Sequence, residues 1–190
     1  MRKLILFNLI TLDGFFEGPD HDISWHMVDN DLNDLSKSQL EAVDTIIFGR
    51  VTYELMASYW PTIEGIRDDP LVAGFMTNTP KVVFSSSLKK AEWQNTRLVK
   101  GDAAAEIIKL KQLSGKDMII FGSGKITTAL TNTGLIDEYR IIVCPVILGK
   151  GTSLFKGVDH LTKLDLVNSR VFDNGNVLLT YRPTREGEKS

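Results

Sequence analysis

The chain contains a single cysteine, Cys144, in 190 residues. One thiol cannot staple a fold, so stability must come from a packed core, and a chain of this length can fill one. Cys144 sits in the apolar run "RIIVCPVIL" with no histidine or basic residue beside it, so it reads as core rather than as a nucleophile. Histidine is scarce too. His21, His26 and His160 are scattered, with no H-x-x-x-H pair or Cys/His cluster, and no metal site is expected. There is no basic block. Lys89-Lys90 is the longest lysine pair and the net charge is −2, which argues against nucleic acid as a partner. No apolar run approaches the roughly 20 residues that span a bilayer. The opening "MRKLILFNLITLDG" lacks the length and cleavage site of a signal peptide and reads as a first strand, so the expected compartment is the cytoplasm. No repeat, low-complexity segment or linker interrupts the chain. One domain over 1–183 is expected, with "TREGEKS" (184–190) as a flexible tail.

What is present is an alternation of strand and helix patterns. Apolar runs at 3–9, 44–49, 81–87, 118–121 and 137–148 read as strands, several of them buried on both faces, with a short strand near 96–100. Helical patterns occupy 29–43, 50–60, 103–113 and 124–133, and "DDP" at 68–70 resembles a further helix start within the less regular 62–79. The final "KLDLVNSRVFDNGNVLLTYRP" alternates around an Asn-Gly turn, as a hairpin does. The expected fold is an α/β mixed sheet, mostly parallel, with helices on both faces and a C-terminal antiparallel hairpin. The last strand, "NVLLTYRP", is expected to leave an apolar sheet edge.

In such sheets ligands bind beyond the carboxyl ends of the strands. Three segments meet that rule: Gly49-Arg50 running into a helix with Thr52, Ser85-Ser86-Ser87, and Gly122-Ser123-Gly124-Lys125. Each offers small residues with hydroxyl or backbone donors, and two add a cation. Three donor clusters exceed one phosphate and suit a pyrophosphate plus one more phosphate. The P-loop pattern fails because Ile119 stands at its first Gly. The Rossmann pattern fails because Thr127 stands at its third, and no acidic residue closes a second strand. Arg50 instead offers a cation to a 2′-phosphate, which favours NADPH over NADH.

The segments "TLDGFFEGPD", "FGRVTYELMASYWP", "VFSSSL" and "IIFGSGKITTALTNTGLIDEYRIIVCPVILGKGTSLF" together resemble the dihydrofolate reductase superfamily. The likeness is to its branch holding the reductase domain of bacterial riboflavin biosynthesis and small stand-alone relatives. This resemblance implies a dihydrofolate-reductase-like fold and an NADPH-dependent reductase, usually a homodimer, acting on a small pterin-like, pyrimidine-like, carbonyl or imine substrate. It implies that Gly49, Arg50 and Thr52 hold the 2′-phosphate side and that Ser85 and Ser86 lie near the adenosine. Gly122, Ser123, Gly124, Lys125 and Ile126 would wrap the pyrophosphate, and Asn8, Thr11, Asp13 and Gly14 would border the nicotinamide and substrate. "SWHMVDNDLNDL" echoes the folate enzymes through Trp25, Asp31 and Leu32, but its spacing differs by one residue and the usual proline is missing. The substrate therefore stays open.

Hydride transfer also needs a proton handled near the acceptor, and a carboxylate is the economical group. Asp13, on the loop after the first strand, is the first candidate, Asp31 the second and Glu17 the third; His26 beside Trp25 could wall the pocket. A nucleotide- or flavin-binding module without turnover is the alternative reading.

Overall fold

Ile5, Phe7 and Leu9 of the first strand, β1 (Leu4–Thr11), enter one core, and Leu4 and Leu6 enter another. A strand covered on both faces shows no polar side, which is why its sequence runs apolar without alternation. The computed structural model describes residues 1–27 and 29–184 and builds an eight-stranded sheet around this strand. Residues 185–190 of the expected tail lie outside the described residues.

After β1 come β2 (Phe15–Glu17) and a single 3-10 turn, Pro19–His21. Helix α1 (Asn30–Ala42) starts at Asp29, whose carboxylate accepts from Leu32 N–H at 2.9 Å. β3 (Val43–Gly49) runs straight into α2 (Arg50–Tyr59). The irregular stretch that follows holds two helices, α3 (Ile63–Asp68) and α4 (Pro70–Asn78), the second with Pro70 in its first turn and Asp69 as its cap. Then come β4 (Lys81–Phe84), β5 (Thr96–Val99), α5 (Ala103–Gln112), β6 (Asp117–Phe121), α6 (Gly124–Asn132) and β7 (Glu138–Cys144). A two-residue β8 (Thr152–Ser153) precedes the hairpin of β9 (Leu164–Val171) and β10 (Val177–Pro183).

The sheet order is β5-β4-β3-β6-β1-β7-β10-β9. Strands β5 to β7 are parallel, and β10 is antiparallel to both its neighbours. Leu32 of α1, Tyr53 of α2 and Met76 of α4 pack on the Ile5 face; Ile107 of α5 and Leu130 of α6 pack on the Leu4 face. This is the mixed, mostly parallel sheet with helices on both faces and a C-terminal antiparallel hairpin that the sequence leads one to expect.

Three details differ. β7 ends at Cys144 rather than at 148, because Pro145 has no N–H to continue the ladder. β4 ends at Phe84, since the Ser85 hydroxyl accepts from the N–H groups of Ser87 and Leu88 and turns the chain. At the hairpin end of the sheet the edge strand is β9, not the last strand. β10 buries Leu178 and Thr180 against β7, and the wholly exposed β9 is left outside. Among the described residues no helix is long and apolar enough to cross a membrane, and no group of three His, Cys, Asp or Glu could hold a metal. Cys144 is fully buried in the Ile5 core, and burial pushes its thiol up.

Candidate functional site

The carboxyl ends of β3, β4, β5 and β6 open on one cleft of about 490 Å³. Every strand contributes residues at or just past its end: Gly49-Arg50, Ser85-Ser86-Ser87, Lys100-Gly101 and Ser123 to Ile126. All three expected segments are thus brought together, with Thr52 beside them, and a fourth joins them. Lys100 and Gly101 escaped the sequence reading, although a lysine directly after a parallel strand satisfies the same strand-end rule.

The helix starts differ in how they are finished. Of the six α-helices among the described residues, α1, α3, α4 and α5 are capped by the side chains of Asp29, Thr62, Asp69 and Asp102. α2 and α6 have no side-chain cap, and the first residues of both line the cleft, as does Ala103 at the start of the capped α5. The leading N–H groups of α2 and α6 lack intrahelical partners and lie at the positive ends of two dipoles.

Ser123 fastens the two starts together. Its hydroxyl accepts from Gly49 N–H at 2.8 Å and donates to Thr52 Oγ1 at 2.8 Å, so the side chain is committed and only its backbone is free to meet a ligand. The turn is tight. Gly122 has φ +60°, and a Cβ there would lie 3.0 Å from Thr52 Oγ1. Arg50 pairs with Glu54 across one helical turn at 2.7 Å, both about half exposed. Such a surface pair is worth only about 0.2–1 kcal/mol, so a phosphate can displace it.

A second cavity of about 170 Å³ adjoins the cleft. The two share Phe16, Glu17, His21, Val51 and Thr52 as a common wall. The smaller one is mainly apolar, through residues such as Phe7, Leu9, Leu55 and Phe121. Two of its polar atoms are buried without partners, Asn8 Nδ2 and His26 Nε2. Asn8 Oδ1 accepts from Leu9 N–H at 3.0 Å, which leaves the amide NH2 as its open end. Burial pushes His26 down to about 4, with Asp22 opposing weakly, so its imidazole is neutral at neutral pH.

On the common wall, His21 Nδ1 lies 2.8 Å from Glu17 Oε2. The Glu17 side chain is 12% exposed and that of His21 57%, so the pair runs from cavity to solvent. Asp20 and His21 both hold left-handed backbone, φ 57° and 61°, unusual for residues with side chains. β2 is held by β8, and a Cβ at Gly151 would overlap the Glu17 carbonyl, so the loop after β7 sets the height of Glu17.

Asp13 is placed elsewhere. Its carboxylate accepts from Thr11 Oγ1 at 2.6 Å, Leu148 N–H at 3.1 Å and Gly149 N–H at 2.8 Å, and the Thr11 bond holds it below the usual carboxylate range. Thr11 is fully buried and also accepts from Phe15 N–H. Thr11, Asp13 and Gly14 therefore form a clasp between the loops after β1 and β7, and none of them lines either cavity. Their polar atoms, expected to border the nicotinamide and substrate, are committed to this clasp. The Asp31 side chain lies outside what the structure describes.

The depressed His26 value has a consequence for stability. An unfolded imidazole takes up its proton near 6.5, whereas folded His26 resists until about 4. Its contribution is present above pH 6.5 and is lost as pH falls toward 4, by about 2–3 kcal/mol. Urea unfolding at pH 7.5 and 4.5 should show this loss in the wild type and a shallower one in His26→Gln; identical slopes would contradict it.

Residues 2–178 match the model of the RibD C-terminal domain. The chain belongs to the RibD C-terminal domain family. The uncharacterized protein YyaP of Bacillus subtilis (strain 168), a similar chain, is 33% identical over 180 residues, covering 95% of this chain and 94% of that one. Among solved structures, the deaminase/5-amino-6-(5-phosphoribosylamino)uracil reductase of Thermotoga maritima superposes with a TM-score of 0.69 at 16% identity, over 96% of this chain and 57% of that one. Dihydrofolate reductase from Enterococcus faecalis, complexed with NADP(H), superposes with a TM-score of 0.65 at 17% identity, over 96% and 97%. The family's fold is thus the dihydrofolate-reductase-like, reductase-type fold.

Proposed function

We propose that the chain is an NADPH-dependent reductase that delivers a hydride to a small heterocyclic, carbonyl or imine substrate. The observation that carries this reading is the cleft with two uncapped helix starts. Arg50, Lys100 and Lys125 also line it, and it shares a wall with a smaller, mainly apolar cavity. A dinucleotide needs that division, with phosphates in one compartment and a reactive ring beside the other. The residues fit the group: at Gly122 and Gly124 an added Cβ would be crowded against Thr52 and Phe16, and the bare backbone lets a pyrophosphate approach closely.

In this reading Gly122, Ser123, Gly124, Lys125 and Ile126 hold the pyrophosphate by backbone N–H groups. Gly49, Arg50 and Thr52, with Lys100, take the 2′-phosphate side, and Ser85 and Ser86 border the adenosine. When bound, the reduced nicotinamide supplies the hydride. Glu17 relays the proton at the common wall, with His21 as the end of the pair that meets solvent. Asn8 faces the substrate side. Asp13 positions the 148–149 loop, and Asp31 takes no part in the proposal.

The test is cofactor preference. A charge-assisted contact to phosphate is worth about 1.5–3 kcal/mol, so NADPH should bind roughly ten- to a hundredfold tighter than NADH. Arg50→Ala should erase most of that difference, and Lys100→Ala part of it, in titrations followed by tryptophan fluorescence. Equal wild-type affinities would overturn the assignment. Loss of NADPH absorbance with an acceptor separates a reductase from a binding module.

The reading includes a cytoplasmic homodimer. The exposed edge strand β9 supports it, since Leu164, Leu166, Val167 and Val171 all lie on the surface beside an unpaired ladder. Light scattering at micromolar concentration should give twice the chain mass, and a clean monomer mass would contradict it.

A further inference from the structure

The smaller cavity is built for a different kind of molecule from the cleft beside it. Arg50, Lys100 and Lys125 line the cleft, but no lysine or arginine among the described residues lines the smaller cavity. Its ionisable groups are Glu17, His21 and His26. Glu17 and His21 are already paired. Burial keeps the His26 imidazole uncharged down to about pH 4, so it offers no charge to an anion. A phosphate brought here would meet a carboxylate and no free cation.

The space is also limited. An apolar cavity of about 150 Å³ takes a single benzene ring. The present one, at about 170 Å³, is of a size that takes one ring with a small substituent. Within that apolar shell two polar atoms wait without partners. Asn8 is 7% exposed, and its Nδ2 is a donor with nothing to donate to. His26 Nε2 is likewise unmet. Buried polar atoms left unpaired in a native structure mark the place of a missing partner.

We propose that the substrate of this site is an uncharged, single-ring compound without a phosphate, held by Asn8 Nδ2 at a carbonyl or ring-nitrogen acceptor and contacted by His26 Nε2. This deepens the reductase reading and rests on it. Reduction of such an acceptor takes one hydride onto carbon and one proton onto the heteroatom, and leaves the nicotinamide oxidised. The proposal sets this chain apart from a phosphoribosylamino-pyrimidine substrate, whose phosphate would have no cation here.

The probes are uracil, benzaldehyde and uridine 5′-monophosphate, which carries the uracil ring on a ribose phosphate. Binding is measured by saturation-transfer NMR on protein saturated with NADP⁺, which fills the cationic cleft. Uracil and benzaldehyde should bind, and the monophosphate at least about tenfold more weakly than uracil. Asn8→Leu, which keeps volume and removes the donor, should weaken both neutral probes about tenfold and leave NADP⁺ affinity within about twofold. Should Asn8→Leu not fold, His26→Gln tests the second atom, with the neutral probes again weakened. A monophosphate that binds as tightly as uracil, or neutral probes indifferent to both variants, would overturn the proposal. Failure of NADP⁺ to bind would strike the reductase reading instead. The effect of Asn8→Leu on uracil binding to the protein alone would still decide the cavity's ligand.

Discussion

Gly124→Val is expected to lower NADPH affinity at least about a hundredfold in a protein that still folds. Gly124 opens α6, and its backbone is not left-handed, so a β-branched residue meets no backbone strain there. A Cβ at this position would lie 3.2 Å from the Phe16 ring and on the lining of the cleft. The only neighbour to yield is a side chain. A phosphate oxygen, by contrast, must come to about 2.9 Å from the leading N–H groups, and the valine methyls occupy that approach. Circular dichroism would establish the fold, and fluorescence titration the affinity. Normal NADPH binding by the folded variant would move the pyrophosphate to another part of the cleft.

Glu17→Gln should cut turnover by about 10²- to 10⁴-fold, the usual span of a lost acid–base group, with NADPH affinity close to wild type. Glutamine keeps the length and can still meet His21 Nδ1, but it cannot carry a proton. His21→Asn should give a smaller loss that added imidazole partly restores, because His21 is the exposed end of the pair. A steady-state comparison in any substrate that consumes NADPH decides between them. Undiminished turnover in Glu17→Gln would leave the proton to another group. Asp13→Asn acts on a different quantity, since it weakens the clasp on Leu148 and Gly149 rather than the chemistry.

The placement of Asp13 and Glu17 marks where sequence stops being legible. Strand ends are readable because apolar runs stop abruptly and small residues follow, so the cleft with Gly49, Ser85 and Gly124 could be located in advance. The aim of one side chain within a loop is not readable. Asp13 beside Gly14 fits a catalytic loop and a turn equally well, and only the fold shows the 148–149 backbone closing on its carboxylate. Glu17 gained its place from β8, a two-residue strand too short to leave a pattern. Lys100 was missed because β5 is a partly exposed strand of four residues whose end is weakly marked. The hairpin was plain from its Asn-Gly turn, but the choice of inner strand depends on which arm buries its alternate residues against β7. Leu178 and Thr180 settle that in favour of β10.

The two bare helix starts carry a cost outside the chemistry. Every other α-helix described brings its own cap, whereas no side chain caps α2 or α6, and in the proposed reading the phosphates of the cofactor meet their first amides. In the proposed reading the cofactor therefore completes the fold as well as the reaction. A ligand at a hundred times its Kd adds about 2.7 kcal/mol to a native state. In a cell that margin divides chains that persist from chains that are unfolded and degraded. The amount of this protein would then follow the size of the nicotinamide dinucleotide pool, a form of supply control written into the backbone rather than into a regulatory site.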